Sequence, residues 1–167
     1  MNHFKTIEEF KKSVKHPIII VLDNIRSLNN VGSFFRTADS FLLEGIYLCG
    51  ITGKPPHREI EKTALGATAS VYWQYFNSTE DAITELKQNN YHIIAIEQCN
   101  ESILLQQFKL KEEKLAIIFG NEVNGIDKKT LDLCDTIIEI PQLGTKHSLN
   151  VAVCGGIVCW ELIKNKI

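Results

Sequence analysis

Apolar runs and amphipathic stretches alternate along the whole chain. Four runs rich in branched aliphatic residues predict buried strands: IIIVLD (18–23), IYLCGI (46–51), YHIIAIE (91–97) and KLAIIFG (114–120). Two shorter runs, VYWQYF (71–76) and TIIEI (136–140), predict further strands. Because helical patterns lie between these strands without an internal repeat, we expect an α/β fold. Its sheet should be mostly parallel, with helices on both faces.

Capping residues and helical periodicity place the helices. Thr6 and Glu9 have the spacing of a capping box and predict a short N-terminal helix that the His-Pro dipeptide at 16–17 ends. Asn29 or Asn30 is expected to cap a helix that runs to about residue 41. Further helices are predicted over 61–66 and 79–89, and a loop with a helical turn over 106–113.

The segment 140–164 combines a strand end, a Pro/Gly loop and an apolar helix. Ser148 or Asn150 is expected to cap this helix. Gly155 and Gly156 lie inside it, and each costs about 1 kcal/mol relative to alanine. The two glycines therefore predict close approach of another helix or of a partner subunit. An ordinary capped and buried helix is the alternative.

Composition narrows the class of protein. A chain of 167 residues is long enough for one domain with a core. Its five cysteines form no C-x-x-C pair and are read as reduced, buried thiols of a cytoplasmic protein, without structural zinc. No apolar segment is long enough to span a membrane, and the N-terminus lacks a signal core.

The net charge of −2 excludes a basic character of the whole chain, so any polyanion must be bound by local cations. Lys11 and Lys12 on the N-terminal helix and Lys54 and Arg58 in a polar loop are the candidates for phosphate contacts. Solvated surface is the alternative for these four side chains. The aromatic strand 71–76 carries rings that could stack on a base, but a role in the core is favoured.

Several common sites are excluded by spacing. The segment 120–125 has the G-x-x-x-x-G spacing of a P-loop, but Ile126 and Asp127 replace the lysine and the hydroxyl residue. The first strand is not followed by G-x-G-x-x-G, which argues against a Rossmann dinucleotide site. Arg36 and Asp39 are spaced for an i, i+3 ion pair, which is the alternative to a functional role for the arginine.

Three polar loops follow predicted strands and form a recognisable set. They are Asn30-x-Gly32-x-x-x-Arg36, Phe119-Gly-Asn-Glu122-x-x-Gly125, and Ile140-Pro-x-x-Gly144 followed by Ser148-Leu-Asn150-Val-x-Val. In this order they closely resemble the motifs of the SpoU/TrmH family of SPOUT RNA ribose 2′-O-methyltransferases, and KTALGA (62–67) is similar to the TrmH branch. The resemblance covers about 18–163. It implies a deep C-terminal trefoil knot in a single domain over 1–167, with a short N-terminal helix (1–16) and a knotted catalytic core (17–167).

The resemblance also implies a cofactor and roles for individual residues. S-adenosyl-L-methionine would be held by backbone groups around Gly120, Ile140 and Leu149, with Glu97 as a further candidate, and no metal is expected. Arg36 matches the catalytic arginine. It would act as a base whose proton passes to phosphate or, in better agreement with the basicity of guanidinium, as a clamp on phosphate and the forming oxyanion. The other residues expected in the catalytic site are Glu122, Ser148, Asn150 and Asn30. Asn30 would orient Arg36, Glu122 would pair with Arg36 or shape the loop, and Ser148 and Asn150 would close the site.

The resemblance further implies an RNA substrate and a homodimer with a shared active site. A guanosine in the D-loop of tRNA is the expected target, with ribosomal RNA and a tRNA wobble position as alternatives. A non-catalytic RNA-binding member of the fold is the competing hypothesis, against which the complete set of site residues argues.

Overall fold

The computed structural model describes residues 4–109, 114–146 and 148–166. The strands are β1 (His16–Asp23), β2 (Leu43–Cys49), β3 (Tyr72–Phe76), β4 (His92–Ile96), β5 (Ile103–Leu104), β6 (Leu115–Phe119) and β7 (Thr136–Glu139). The helices are α1 (Ile7–Lys12), α2 (Leu28–Ser40), α3 (Arg58–Ala64), α4 (Thr79–Gln88), α5 (Lys128–Leu131) and α6 (Val151–Ile163). Short 3-10 turns lie at Ala67–Ala69 and Leu105–Gln107. The predicted turn within 106–113 extends beyond the described residues, since 110–113 are not among them.

The strands form one seven-stranded sheet in the order β3-β2-β1-β6-β4-β7-β5. Every pair of neighbouring strands is parallel, which confirms the predicted sheet type. From β1 the chain moves outward to β2 and β3, and it then crosses to the other half of the sheet at β4. In open α/β sheets such a change of direction leaves a crevice at the carboxyl ends of the strands, where ligands bind.

Alternating strand residues build two cores, one on each face of the sheet. Ile20 and its neighbours at even positions of β1 pack in the cluster that contains α2 and α6 side chains such as Phe34 and Val158. Val21 and the other odd positions pack in the cluster that contains Ile83 and other α4 side chains. The continuous apolar runs are therefore buried on both faces, and the predicted helices on both faces are confirmed.

The start of α2 differs from the prediction. Ser27, not Asn29 or Asn30, is the N-cap, and its hydroxyl accepts a hydrogen bond of 3.2 Å from the backbone N–H of Asn30. The side chain of Asn30 is consequently available for other contacts. At the other helices, the Thr6–Glu9 capping box is confirmed and Asn150 is the N-cap of α6. The His-Pro dipeptide at 16–17 does not end α1, because the helix stops at residue 12 and the dipeptide begins β1.

The two glycines of α6 have different surroundings. A Cβ atom on Gly155 would lie 2.3 Å from the Phe34 ring, so this glycine lets α2 of the same chain approach. A Cβ atom on Gly156 would meet nothing within 4 Å. The prediction of a close helix neighbour is therefore confirmed for Gly155 within the chain, and only Gly156 is open to a partner.

The cysteines are free thiols, as predicted, and burial raises the pKa of four of them. The pKa rises to about 12 for Cys49, Cys134 and Cys159 and to about 11 for Cys154, so these thiols stay protonated at neutral pH. Among the described residues no three His, Cys, Asp or Glu side chains are grouped to hold a metal ion. Nor does any described helix have the length and apolar character needed to cross a membrane.

Candidate active site

A pocket of about 450 Å³ opens at the carboxyl ends of β4, β6 and β7; we call it the carboxyl-edge pocket. It is lined by Ile96 to Gln98 after β4, Phe119 to Val123 and Gly125 after β6, and Glu139, Ile140 and Gln142 after β7. Ser148 to Val151 and Cys154 complete it from the start of α6. Seven of the nine predicted catalytic and cofactor-binding residues therefore meet in one pocket: Glu97, Gly120, Glu122, Ile140, Ser148, Leu149 and Asn150.

Glu97 and two glycines shape the loop after β6. The Glu97 carboxylate accepts hydrogen bonds from the backbone N–H of Ile126 (2.9 Å) and of Gln98 (3.0 Å). Gly125 has φ of +65°, and a Cβ atom there would lie 2.4 Å from the Glu97 carboxylate. A Cβ atom on Gly120 would lie 2.6 Å from the backbone of Gly125. The loop thus folds back on itself so tightly that only glycine fits at both positions.

Asn121 holds the same loop from inside and joins it to β1. Its side-chain oxygen accepts hydrogen bonds from the backbone N–H groups of Val123 (2.9 Å) and Asn124 (3.0 Å). Its side-chain nitrogen donates to the backbone carbonyl of Asn24 at 2.7 Å. Asn24 has φ of +54° and accepts a hydrogen bond from the Ile51 backbone, which also ties in the end of β2. Sequence reasoning missed the roles of both asparagines, although an asparagine one or two positions after a strand is a signal for such a turn.

Glu122 links this loop to the start of α2. Its carboxylate accepts hydrogen bonds from the backbone N–H of Arg26 (2.9 Å), the backbone N–H of Ser27 (3.0 Å) and the side chain of Asn30 (3.1 Å). Burial alone would raise the pKa of Glu122, but these hydrogen bonds lower it below its usual value, so the carboxylate stays charged at neutral pH. Of the predicted roles, shaping the loop is the one that this geometry matches.

Asn30 connects Glu122 to the start of α6. Because its side-chain nitrogen donates to Glu122, its oxygen is free to accept, and it takes a 3.2 Å hydrogen bond from the Asn150 side chain. The Asn150 oxygen in turn accepts from the backbone N–H of Ala152 and Val153. Residues of all three motif loops are therefore joined by one chain of hydrogen bonds. Asn150 caps α6 and contributes to the site at the same time.

Arg36 lies outside the carboxyl-edge pocket of its own chain. It is exposed and lines a concavity of about 450 Å³ between α2 and α6, together with Ser33, Lys62 and Gly156. Within the described ranges it forms no hydrogen bond or ion pair, so the alternative interpretation of Arg36 as the partner of Asp39 is not supported. Asp39 instead accepts a hydrogen bond from the Ser70 hydroxyl.

The expected contact between Asn30 and Arg36 is also absent within the described chain. The two residues are six positions apart on α2, which is a rotation of about 240° at 100° per residue. Their side chains therefore leave the helix on different sides, and the hydrogen bonds of Asn30 go to Glu122 and Asn150.

The four predicted RNA-contacting cations are on the surface, away from the carboxyl-edge pocket. Lys11 and Lys12 end α1, Arg58 begins α3, and all three side chains are exposed. The Lys54 ammonium lies 4.1 Å from the centre of the Tyr75 ring, a cation–π contact that holds it on the surface of β3. Tyr75 itself packs against the core, as was favoured for the aromatic strand.

The electrostatics of the carboxyl-edge pocket favour a ligand with positive charge. Glu97, Glu122 and Glu139 line it, and none of its described lining residues is a lysine, arginine or histidine. Ile96, Ile140 and Leu149 supply an apolar wall. Such a combination of an apolar slot, backbone groups and a few polar side chains is typical of sites for small cofactors.

Comparison with known proteins agrees with the motifs. The family described as SpoU rRNA Methylase matches residues 17–160. The chain is 26% identical over 99% of its length to the 23S rRNA (guanosine-2′-O-)-methyltransferase RlmB of Neisseria meningitidis serogroup B, of which it covers 66%.

Solved structures share the fold. An AdoMet-bound rRNA methyltransferase from Sinorhizobium meliloti superposes with a TM-score of 0.86 at 25% identity, over 92% of this chain and 58% of that one. A TrmH/SpoU tRNA modifying enzyme of A. aeolicus superposes with a TM-score of 0.84 at 23% identity, over 96% of this chain and 82% of that one. The chain thus spans about two thirds of the Neisseria meningitidis relative and somewhat less of the Sinorhizobium meliloti protein.

Proposed function

Because this chain belongs to the SpoU rRNA Methylase family, we propose that it is an RNA methyltransferase that transfers a methyl group from S-adenosyl-L-methionine to a ribose 2′-hydroxyl. The observation that carries this proposal is the carboxyl-edge pocket, which gathers residues of the second and third motif loops at the carboxyl ends of parallel strands. Asn30 of the first motif loop is joined to this pocket by hydrogen bonds to Glu122 and Asn150.

The residues of the pocket fit this cofactor. S-adenosyl-L-methionine combines an adenine with a positively charged sulfonium group. The apolar wall at Ile140 and Leu149 suits the adenine, and a pocket lined by carboxylates without a described cation suits the sulfonium. We assign the backbone around Gly120, Ile140 and Leu149 to cofactor binding. Glu97 contributes by holding the loop after β6, since both of its carboxylate oxygens accept backbone hydrogen bonds.

The reaction requires alignment and charge stabilisation. When bound, the cofactor supplies a methyl group activated by positively charged sulfur. Arg36 would hold the phosphate next to the target ribose and stabilise negative charge on its 2′-oxygen while the hydroxyl proton passes to that phosphate or to water. A guanidinium is too weak a base to take the proton directly. Ser148 and Asn150 would close the site around the ribose. Glu122 and Asn30 act as positioning residues that hold the motif loops together.

We propose that Arg36 reaches the pocket of a second subunit in a homodimer. Arg36 lies outside its own pocket and has no described partner there. On α6, Val153, Ile157 and Trp160 are 53%, 40% and 49% exposed at helical spacing. Gly156 lies open beside Arg36, so a partner can approach this apolar face closely. The deep knot and the organisation as one domain over 1–167 are part of the same proposal.

The substrate we propose is tRNA, with a guanosine of the D-loop as the target. The resemblance of KTALGA (62–67) to the TrmH branch supports tRNA. Ribosomal RNA is the second candidate, since the Neisseria meningitidis relative is named for 23S rRNA guanosine. A wobble position of tRNA is the third. Purified tRNA and ribosomal RNA, offered separately, distinguish the first two.

Cofactor binding should be independent of metal. We expect titration calorimetry to show one S-adenosyl-L-methionine site per chain, with the same affinity in the presence and absence of a chelator, because the described residues contain no metal-binding group. Loss of binding in the chelator, restored by one specific metal, would contradict the assignment. A Gly120→Val variant, whose side chain cannot fit beside Gly125, should lose the site.

Binding of RNA should depend on salt through the four surface cations. Replacing Lys11, Lys12, Lys54 and Arg58 with alanine should make the slope of log affinity against log salt shallower by about 3. Each phosphate contact contributes about 0.7 to 0.9 to this slope, and four contacts are removed. Fluorescence anisotropy with labelled tRNA at several salt concentrations measures the slope. The control carries alanine at four other exposed lysines: Lys87, Lys114, Lys128 and Lys129. Equal slopes for the two variants would remove these four cations from the RNA surface.

A further inference from the structure

A groove of about 610 Å³ lies between α1, α2 and the turn that follows α3; we call it the α1 groove. Phe4, Lys5 and Ile7 line it from the N-terminal side, and Leu65 and Gly66 line it from the turn. Arg36 lines both this groove and the concavity between α2 and α6. The arginine assigned to the reaction is therefore a wall that the two concavities share.

The groove exposes apolar surface that the described chain does not cover. Phe4 is 88% exposed and Leu65 is 66% exposed. Leu65 is also the C-cap of α3, where its left-handed conformation, with φ of +50°, ends the helix. The cap leaves the apolar side chain on the surface beside the groove.

The groove also carries positive charge. Lys5 and Arg36 line it, and neither forms a hydrogen bond or ion pair with another described residue, although Lys5 lies within electrostatic range of the Glu9 carboxylate. Asp39 is the acidic residue in the lining, and its carboxylate already accepts a hydrogen bond from the Ser70 hydroxyl. An exposed ring beside unpaired cations is the combination that single-stranded nucleic acid requires, because bases stack on rings while cations neutralise phosphates.

We propose that the α1 groove binds the RNA nucleotide adjacent to the methylated one, with its base stacked on Phe4 and its phosphate near Lys5. The inference rests on the proposed function, since it takes Arg36 to be at the reacting ribose. An RNA strand held at Arg36 continues naturally into the groove, because Arg36 forms its wall. None of the four surface cations lines the groove, so this contact adds to theirs. Lys12 is the nearest of them, because it lines a neighbouring concavity together with Lys5.

The test uses fluorescence anisotropy with two probes, a labelled 12-nucleotide oligo(A) RNA and labelled bulk tRNA. Phe4→Ala should weaken binding about tenfold at an unchanged salt slope, because stacking is lost but no charge is removed. Lys5→Ala should reduce the salt slope by about 0.7. Two controls are matched in exposure and lie outside the groove: Val14→Ala, at a residue 94% exposed just after α1, and Lys128→Ala on α5. Both controls should bind with wild-type affinity, and Lys128→Ala should keep the wild-type slope.

The outcomes separate this inference from the proposed function. If the wild-type protein binds neither RNA, the proposed function fails. If it binds RNA and Phe4→Ala binds equally well, the groove is overturned while the proposed function stands. Sedimentation measures the oligomeric state of each variant. If Phe4→Ala changes the oligomeric state but not the RNA affinity, the groove belongs to a contact between protein subunits, and the inference is overturned. Binding of S-adenosyl-L-methionine should be unchanged in every variant.

Discussion

Subunits that carry Arg36→Ala and subunits that carry Asn150→Ala should be inactive alone and regain activity when mixed. Each variant alone should lose about a hundred- to a thousandfold in turnover, the usual cost of removing one group that stabilises transition-state charge or closes the site. After exchange, half of the dimers are mixed, and each mixed dimer has one site with both residues intact. About a quarter of all sites should therefore recover, by counting over a closed twofold interface.

The structure gives the physical reason for this recovery. Asn150 lines the carboxyl-edge pocket, whereas Arg36 lies in a different concavity of the same chain. A complete site therefore combines Asn150 of one subunit with Arg36 of the other. Subunit exchange is verified with two affinity tags, and a mixture of two Arg36→Ala preparations is the control that should not recover. Arg36→Lys should remain impaired, because lysine keeps the charge but loses the planar fork that holds phosphate.

Failure to recover after verified exchange would contradict the shared site. Both residues would then act within one chain, and Arg36 would have to move across α2 to reach the pocket. Asn150 also caps α6, which is worth about 1 kcal/mol, so thermal unfolding of Asn150→Ala must first show that the variant is folded.

Gly32→Ala should have the largest effect on stability. A Cβ atom at this position would lie 2.1 Å from the Thr63 hydroxyl and 2.2 Å from the carbonyl oxygen of Ile60, so α2 and α3 would have to separate. We expect a loss of about 3 kcal/mol or more in the free energy of unfolding, at the upper end of the range for overpacked sites, because the obstacle is partly backbone. Urea unfolding measures the loss.

Gly144→Ala is the matched control for this substitution. A Cβ atom there would meet nothing within 4 Å, so the urea midpoint should stay close to that of the wild type. Similar midpoints for Gly32→Ala and Gly144→Ala would mean that α2 and α3 do not approach as closely as described. Since α2 carries both Asn30 and Arg36, a destabilised Gly32→Ala protein should also lose activity.

The sheet was predictable from the sequence because its central strands are buried on both faces. The runs at β1 and β6 are continuous and apolar. Because both faces of these strands are buried, few polar residues interrupt the apolar run that identifies them in the sequence. The two-residue edge strand β5 was missed, since Ile103 and Leu104 are too few to form a pattern. The four-residue helix α5 was missed for the same reason.

The cap of α2 depended on a distant contact that local signals do not contain. Serine and asparagine are equally good caps, so local sequence does not favour Ser27 over Asn29 or Asn30, the two residues that were predicted. Glu122 accepts a hydrogen bond from the Ser27 backbone, 95 residues away, and helps set where the loop ends and the helix begins. The Asn30 side chain donates to the same carboxylate and is thereby directed towards the site.

The gathering of the motif loops could be anticipated, but the position of Arg36 could not. Parallel strands place their carboxyl ends on one edge of the sheet, so the motif loops after β1, β6 and β7 were expected at the same edge. The packing of α2 on α6, through Phe34 and Gly155, determines which face of α2 is turned towards the pocket. That packing directs Asn30 to the pocket and Arg36 away from it, which no local pattern encodes.

The most direct test of the proposed activity is the identity of the methylated nucleoside. The protein is incubated with S-adenosyl-L-methionine carrying a labelled methyl group and with tRNA or ribosomal RNA in separate reactions; the RNA is then digested and analysed by mass spectrometry. The proposal predicts label in a ribose 2′-O-methylated nucleoside, with 2′-O-methylguanosine from tRNA as the main product, and none with Arg36→Ala. Label in a methylated base, or RNA binding without any transfer to either RNA, would contradict it.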